Sequence, residues 1–250
     1  RHVVFAHYMT CFTLDVDFCK EEIRIAQAHG LDGFAMDFGA WIEGGKPTGY
    51  VSNMDNMFEA AKQLNTGFKL LLTPEYSVQP VDTNVEHMVN RYVDHPNAMR
   101  HNGVFCLSSY GMGGDAYSSP LTKLKAEGKK IFFIPLSGVG RHEMSDSVES
   151  GLRLCQEPHV DGIWRFACDD SPCGLINVNA NLRRAATRAN KLYMAGISCH
   201  YNSANVRDMQ GLRGYGAIWE GIIRDNADWT EIVTWNDYNE DTNLMHYKWK

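Results

Sequence analysis

The chain lacks most of the features that would assign it at once. In its 250 residues no apolar run approaches the roughly 18–20 residues that a membrane helix needs. No block of Lys or Arg stands out, and 24 Lys+Arg against 30 Asp+Glu give a formal net charge of −6. That balance argues against a phosphate-backbone partner, so neither nucleic acid nor membrane is expected. There is no G-x-S-x-G elbow and no H-E-x-x-H pair. The glycine-rich SYGMGG at 109–114 has neither the Lys nor the Ser/Thr of a phosphate loop. The seven cysteines (11, 19, 106, 155, 168, 173 and 199) contain no Cys-x-x-Cys and no finger-like Cys/His spacing. Most read as small buried hydrophobes; Cys168 and Cys173 share one loop, CDDSPC, and are the candidate bridge. No Asn-x-Ser/Thr sequon occurs. No signal peptide is visible, and the first residue is Arg1 rather than Met, which leaves room for a removed leader.

What is present is ordinary globular composition, 44% hydrophobic and 22% charged, arranged with a regular beat. Short apolar runs begin at Val3, Gly33, Lys69, Val104, Ile131, Gly162, Leu192 and Glu231, at intervals of 27 to 39 residues. Continuous rather than alternating apolar runs suit parallel strands covered on both faces. Between them lie helical patterns. Met54, Met57, Phe58, Ala61 and Leu64 repeat at helical spacing, as do Val85, Met88, Val89, Tyr92 and Val93. Leu212, Tyr215, Trp219, Ile222 and Ile223 make a third apolar face. Gly30 and Gly128 stand where left-handed C-caps are expected, and Pro96 stops the third helical pattern. Eight strand–helix units in about 250 residues is the arithmetic of a (β/α)8 TIM barrel, an α/β fold. A doubly wound sheet usually needs fewer strands and a glycine-rich first turn, which HYMTCF after the first run does not supply. We expect one domain over residues 1–250. Only about 15 residues follow the last run, so a full eighth helix is not expected.

Barrel chemistry sits at the C-terminal strand ends. Those ends supply His7 and Tyr8, Asp37, Glu75 and Tyr76, Ser109 and Tyr110, and Pro135. They continue with Arg165, Asp169 and Asp170, then His200 and Tyr201, and last Trp235, Asn236, Asp237, Tyr238 and Glu240. Aromatics interleaved with carboxylates suit a carbohydrate: the rings stack on apolar sugar faces, and acids and amides bind hydroxyls. A carboxylate pair can also cleave a glycosidic bond. In WNDYNED, Asp237 and Glu240 are three apart. On an extended strand they would face opposite ways, but a turn lets them converge, one protonated and one ionised. Asp241 is a third candidate there. A metal site built from His7, His200 and two carboxylates is a competing arrangement.

KLYMAGIS, followed some thirty residues later by DWTEIVTWNDYNED, resembles glycoside hydrolase family 71, the α-1,3-glucanases called mutanases. VVFAHYM and AQAHGLDGFAMDFG resemble that family's first two strand regions, and SSYGMGG and DGIW its middle. Family 99, of α-mannan-cleaving enzymes, has a comparable Trp-Asn-acid-x-x-acid arrangement. The resemblance implies a barrel hydrolase acting on α-linked glucan, most simply an endo-α-1,3-glucanase, with inversion and no cofactor. It implies Asp237 as general base and Glu240 as general acid, their order interchangeable at this stage. An inverting pair is expected roughly 6.5–9.5 Å apart. His7, Tyr8, Asp37, Glu75, Tyr76, Tyr110, Tyr201, Trp235 and Asn236 would bind the sugar. An extracellular location follows from a polymeric substrate. The chain departs from the family pattern at Asp37, at TPEY after the third run, at Asn239 and at Asp241-Thr242, all on the rim where substrate choice is made. The alternatives are another α-linked polysaccharide such as α-mannan, and a carbohydrate-binding barrel without catalysis.

Overall fold

The structure is a computed structural model, and it describes residues 2–111, 113–138, 147–167, 171–202 and 206–245. All eight apolar runs are parallel strands: β1 (Val3–Met9), β2 (Gly33–Phe38), β3 (Lys69–Pro74), β4 (Val104–Ser109), β5 (Ile131–Pro135), β6 (Gly162–Trp164), β7 (Leu192–Ser198) and β8 (Trp229–Val233). Among the described residues seven α-helices join them: α1 (Val16–Ala28), α2 (Gly49–Leu64), α3 (Val81–Tyr92), α4 (Ser118–Ala126), α5 (Val148–Gln156), α6 (Pro172–Ala189) and α7 (Gly211–Arg224). The sheet runs β5-β4-β3-β2-β1-β8-β7-β6 by hydrogen-bonded neighbours. The remaining seam is narrow: Phe133 pairs with Val160 and Leu136 with Trp164 as isolated parallel bridges. The result is a (β/α)8 barrel with no eighth helix among the described residues.

Strand composition matches this double covering. Every residue of β2 and of β8 is buried. Alternation sends Phe5 and His7 inward and Ala6 and Tyr8 toward the helices. Contacts between strands that are not neighbours run through the interior. At the floor, His101 lies 4.5 Å from Phe132 and 5.7 Å from Trp229, ring centre to ring centre. Higher up, His7 of β1 stacks on Trp164 of β6 at 6.1 Å.

Local signals stop and start the helices where physical chemistry expects. Asp15 caps α1 by accepting from the Phe18 amide, and Ser147 and Ser150 form a reciprocal capping box on α5. Gly30 and Gly128 take the left-handed conformation just past α1 and α4, at φ +86° and +82°. The face of α7 departs from its periodicity. Its buried residues are Gly214, Ile218, Gly221 and Ile222, whereas Leu212 and Ile223 are 88% and 72% exposed. A Cβ at Gly214 would meet the Met209 carbonyl oxygen at 1.9 Å, so the segment entering the helix folds tightly against it, while Ile218 and Ile222 supply the buried bulk and Tyr215 and Trp219 pack against the core. Cys168, Asp169 and Asp170 lie outside the described residues, and with them the Cys168–Cys173 bridge. The other six cysteines are free thiols.

Candidate active site

The chain leaves β8 at Val233 and makes a tight loop from Thr234 to Thr242. The loop is closed at its neck. The Thr234 amide donates to the Thr242 carbonyl (3.0 Å), the two hydroxyls lie 2.9 Å apart, and the Asp237 amide donates to the Thr234 hydroxyl (2.9 Å). Two further clamps fix its direction. Asn236 holds β1 from the side, accepting from the Met9 amide (2.8 Å) and donating to the Met9 carbonyl (3.0 Å). Trp235 turns outward, where its indole N–H donates to Glu22 of α1 at 2.6 Å and its ring lies 5.3 Å from Phe34. With both neighbours pinned, the next residue has little freedom.

Asp237 and Glu240 share this loop. Asp237 Oδ1 accepts from the Asn239 and Glu240 amides (3.0 and 3.1 Å), which fixes the carboxyl within the loop. Glu240 is held from the opposite side, its carbonyl accepting from the Asn202 amide at 2.9 Å. Both are partly buried. Burial, and then the charge of Asp237, raise the Glu240 carboxyl above the usual carboxylate value. The two acids therefore feel each other.

A second acidic element reaches the same place. Asp37 at the end of β2 and Glu75 after β3 lie at the same end of the barrel as Asp237, and the charges of all three reach the thiol of Cys11, just past β1. Burial pushes this thiol up, and the charges of Asp237, Asp37 and Glu75 push it further. Glu75 is itself raised by burial and by Asp37, while the Ser77 hydroxyl donating at 2.9 Å pulls the other way.

Beneath Asp37 lies a wholly buried triad. His7 Nδ1 is 2.6 Å from Glu231 Oε1, and Nε2 is 3.2 Å from Asp37 Oδ2. Exposure is 0% for His7, 2% for Asp37 and 0% for Glu231. Burial by itself would pull the imidazole down. The hydrogen bonds and charges of Asp37 and Glu231 overcome it and push His7 up to about 10. Glu231 is raised by burial, with His7 opposing. Each ring nitrogen facing a carboxylate oxygen is the geometry of an imidazolium clamped between two acids.

The structure thus brings Asp37, Glu75, Asp237 and Glu240 to one end of the barrel and distributes the other expected sugar contacts unequally. Tyr76 stands 63% exposed, against Gly111, whose added Cβ would meet the Tyr76 ring atom Cδ1 at 3.0 Å. Tyr110 is half-buried and packs edge-on against Phe166 at 4.9 Å. Tyr201, half-buried, pairs with Arg207 in a short hairpin. Tyr8 and Trp235 turn away from the barrel mouth. Tyr8 is 0% exposed, packs 4.7 Å from Phe34 and turns its phenol toward α1, and Trp235 is 3% exposed. Neither ring offers a face to a sugar, and Asn236 is spent on the β1 backbone. His200 sits on the rim with its Nε2 2.9 Å from Asp241 Oδ2, apart from His7. Among the described residues no group of three or more His, Cys, Asp or Glu is arranged to hold a metal ion.

Three participants were not picked out from sequence. Glu231 was visible as an acid inside an apolar strand run. Glu22 falls on the buried stripe of α1 with Cys19, Ile23 and Ala26, a helical phase that an acid occupies only with a partner. Tyr50, whose phenol is raised by burial and then by Cys11, Glu75 and Asp37, carried no signal beyond its place early in α2.

The comparisons agree with this architecture. The family model described as glycosyl hydrolase family 71 matches residues 1–248. A glucan endo-1,3-alpha-glucosidase of Schizosaccharomyces pombe is 26% identical over 258 residues, covering 95% of this chain and 57% of that protein. A mutanase of Penicillium rubens is 26% identical over 255 residues, covering 95% of this chain and 52% of the mutanase. The chain therefore spans about half the length of these relatives. Among solved structures, an endo-alpha-mannosidase of family 99 from Bacteroides thetaiotaomicron superposes with a TM-score of 0.73 at 16% identity, covering 96% of this chain and 85% of that one. Its likeness establishes the fold. The match over nearly the whole sequence establishes the family: this chain belongs to glycosyl hydrolase family 71.

Proposed function

We propose that this chain is the catalytic barrel of an α-glucan hydrolase, acting within α-1,3-linked chains, with Asp237 and Glu240 as the working acids. The observation that carries the reading is the doubly clamped loop after β8. It holds two partly buried carboxyls three residues apart and raises one of them.

Glu240, raised by burial and by its neighbour, is the general acid. It gives its proton to the glycosidic oxygen as the bond from that oxygen to the anomeric carbon breaks. Asp237, fixed through Oδ1 by two amides, is the general base. It takes a proton from the water that attacks the anomeric carbon from the opposite face, so the product is released with inverted configuration. Asp37 and Glu75 add negative charge beside the position where the sugar ring becomes positive, which favours that transition state. The exposed Tyr76 ring offers an apolar face to a sugar on the rim. The substrate reading is supported by the named activities of the two relatives above, and a polymer substrate of this kind supports an extracellular location.

Product analysis by NMR on a panel of α-glucans and α-mannans tests the proposal. The expected result is cleavage of α-1,3-glucan with inversion in the wild type. Cleavage is expected to be absent in Asp237→Asn and in Glu240→Gln, both still binding the oligosaccharide. Near-wild-type turnover in both variants, or cleavage confined to α-mannan, would overturn it.

A further inference from the structure

A groove of about 410 Å³ runs between the loop after β1 and the loop joining β2 to α2, within the roughly 300–1,000 Å³ typical of ligand sites. It does not contain Asp237 or Glu240, but its inner end touches the chain that carries Asp37 and Glu75. The Thr10 amide and hydroxyl, in its wall, both donate to the Asp37 carbonyl, and a Cβ added at Gly39 would lie 3.2 Å from the Tyr50 ring and 3.0 Å from the Ser77 hydroxyl that donates to Glu75. Cys11 and Tyr50, which line it, also feel the charges of those two carboxyls. The groove therefore leads outward from the strand ends of Asp37 and Glu75 over the first two loops.

Its walls are held rigidly. The Asn53 amide donates to the Thr10 and Phe12 carbonyls (2.9 and 2.7 Å) and accepts from the Leu14 amide (3.2 Å), tying the first loop to α2. The Thr48 hydroxyl donates to the Ala40 carbonyl and closes the second loop on itself. A groove with fixed walls loses little freedom when a ligand enters. Against these spent groups stand three lining side chains with no hydrogen-bond partner among the described residues: Thr13, Glu43 and Tyr50. The lining offers the hydroxyls of Thr13 and Tyr50 and the carboxyl of Glu43 but no Lys or Arg, donors and acceptors that suit sugar hydroxyls and disfavour an anion. At Gly49, a lining residue and the first of α2, an added Cβ would meet nothing within 4 Å, so a larger side chain can be placed there without a clash.

We propose that this groove is a glycan subsite remote from the bond that is cut, seating a neutral sugar unit of the chain that continues past the acids, with Tyr50 at the junction. The assignment rests on the hydrolase reading above and extends it. Cleavage efficiency should climb steeply once the substrate is long enough to enter the groove, and that gain should depend on residues that take no part in bond breaking.

The test is a graded series of α-1,3-linked glucose oligosaccharides, from the disaccharide upward, on wild type, Gly49→Trp and Tyr50→Phe. The wild-type kcat/KM is expected to rise by about tenfold or more at the step where the chain reaches the groove, the effect of one well-seated sugar. Gly49→Trp fills the groove and should reduce the long-to-short ratio by about tenfold; Tyr50→Phe removes one neutral hydrogen bond and should reduce it by about threefold. A ratio taken within one variant cancels any general loss of folded protein. Titration calorimetry of the same series on a Glu240→Gln background reads binding alone. Chain-length-dependent affinity that Gly49→Trp removes, in a protein whose wild type cuts nothing, would retain the groove and remove the hydrolase reading. Cleavage by the wild type with an unchanged ratio in both variants would remove the groove and leave the hydrolase reading standing.

Discussion

His7 Nδ1 lies 2.6 Å from Glu231 Oε1 in an environment where neither side chain has any exposure. Breaking such a buried pair on one side costs about 3–5 kcal/mol, because it strands a charge. Glu231→Gln keeps the shape and removes the charge. We expect it to lower stability by about 3 kcal/mol, which for a domain of this size is roughly a 6–12 °C drop in Tm. Calorimetry at neutral pH reads this directly, and a Tm within a degree of wild type would show that the triad is not a clamped imidazolium.

The same triad sets a pH dependence. The folded-state value of about 10 stands above the 6.5 of an ordinary histidine. Stability from the bound proton is therefore complete below about pH 6.5 and is lost progressively as the pH rises toward about 10. The difference in unfolding free energy between wild type and His7→Gln should narrow across that window. A constant difference would show that His7 carries no extra proton.

Trp235 and Glu22 give a prediction that separates position from chemistry. Trp235→Phe keeps the ring beside Phe34 and removes the N–H that donates to Glu22 at 2.6 Å. A hydrogen bond to a charged group contributes about 1.5–3 kcal/mol. The loop that starts here carries Asp237, so kcat should fall further than KM rises. Equal changes in both, or none, would show that the clamp does not aim the acids.

The barrel could be read from sequence because parallel strands buried on both faces leave continuous apolar runs at an even spacing, and nothing else in the chain mimics that beat. That Asp237 and Glu240 share the loop leaving β8 could be read because they follow such a run directly. Which way the neighbouring aromatics face was harder. His7 and Tyr8 are adjacent on one strand, so they could not both face the interior, and Tyr8 goes to the helix layer. Trp235 lies just past β8, where no alternation governs direction; its partner Glu22 is 213 residues away in sequence. The α7 face was only partly legible: Ile222 is buried and Tyr215 and Trp219 pack on the core, but Leu212 and Ile223 fall outside the buried stripe, which Gly214, Ile218 and Gly221 continue. Spacing shows where bulk recurs but not where backbone must approach closely.

Among the described rim aromatics Tyr76 is the most exposed, at 63%. Tyr76→Ala should leave Tm within the roughly 0.5 kcal/mol scatter of surface changes. It should weaken oligosaccharide binding by about tenfold, the loss expected when about 1.5 kcal/mol of apolar contact is removed. Titration calorimetry beside a melting curve checks both halves, and undiminished affinity would take Tyr76 out of the sugar path.

Glu240 offers the sharpest check on the acid pair. Its carboxyl is raised above 4.5 first by burial and then by the charge of Asp237. As general acid it must be protonated, so kcat/KM should decline as the pH rises through the Glu240 value. Asp237→Asn removes the second of the two raising causes and keeps the first. The Glu240 midpoint should therefore move down, while remaining above the ordinary value because burial is unchanged. Since Asp237→Asn is expected to lack turnover, carboxyl-carbon NMR provides the reading, with the Glu240 signal assigned by its disappearance in Glu240→Gln. A midpoint indifferent to Asp237→Asn would mean that the two acids do not sense each other across the loop, and a proton could not be divided between them as the mechanism requires.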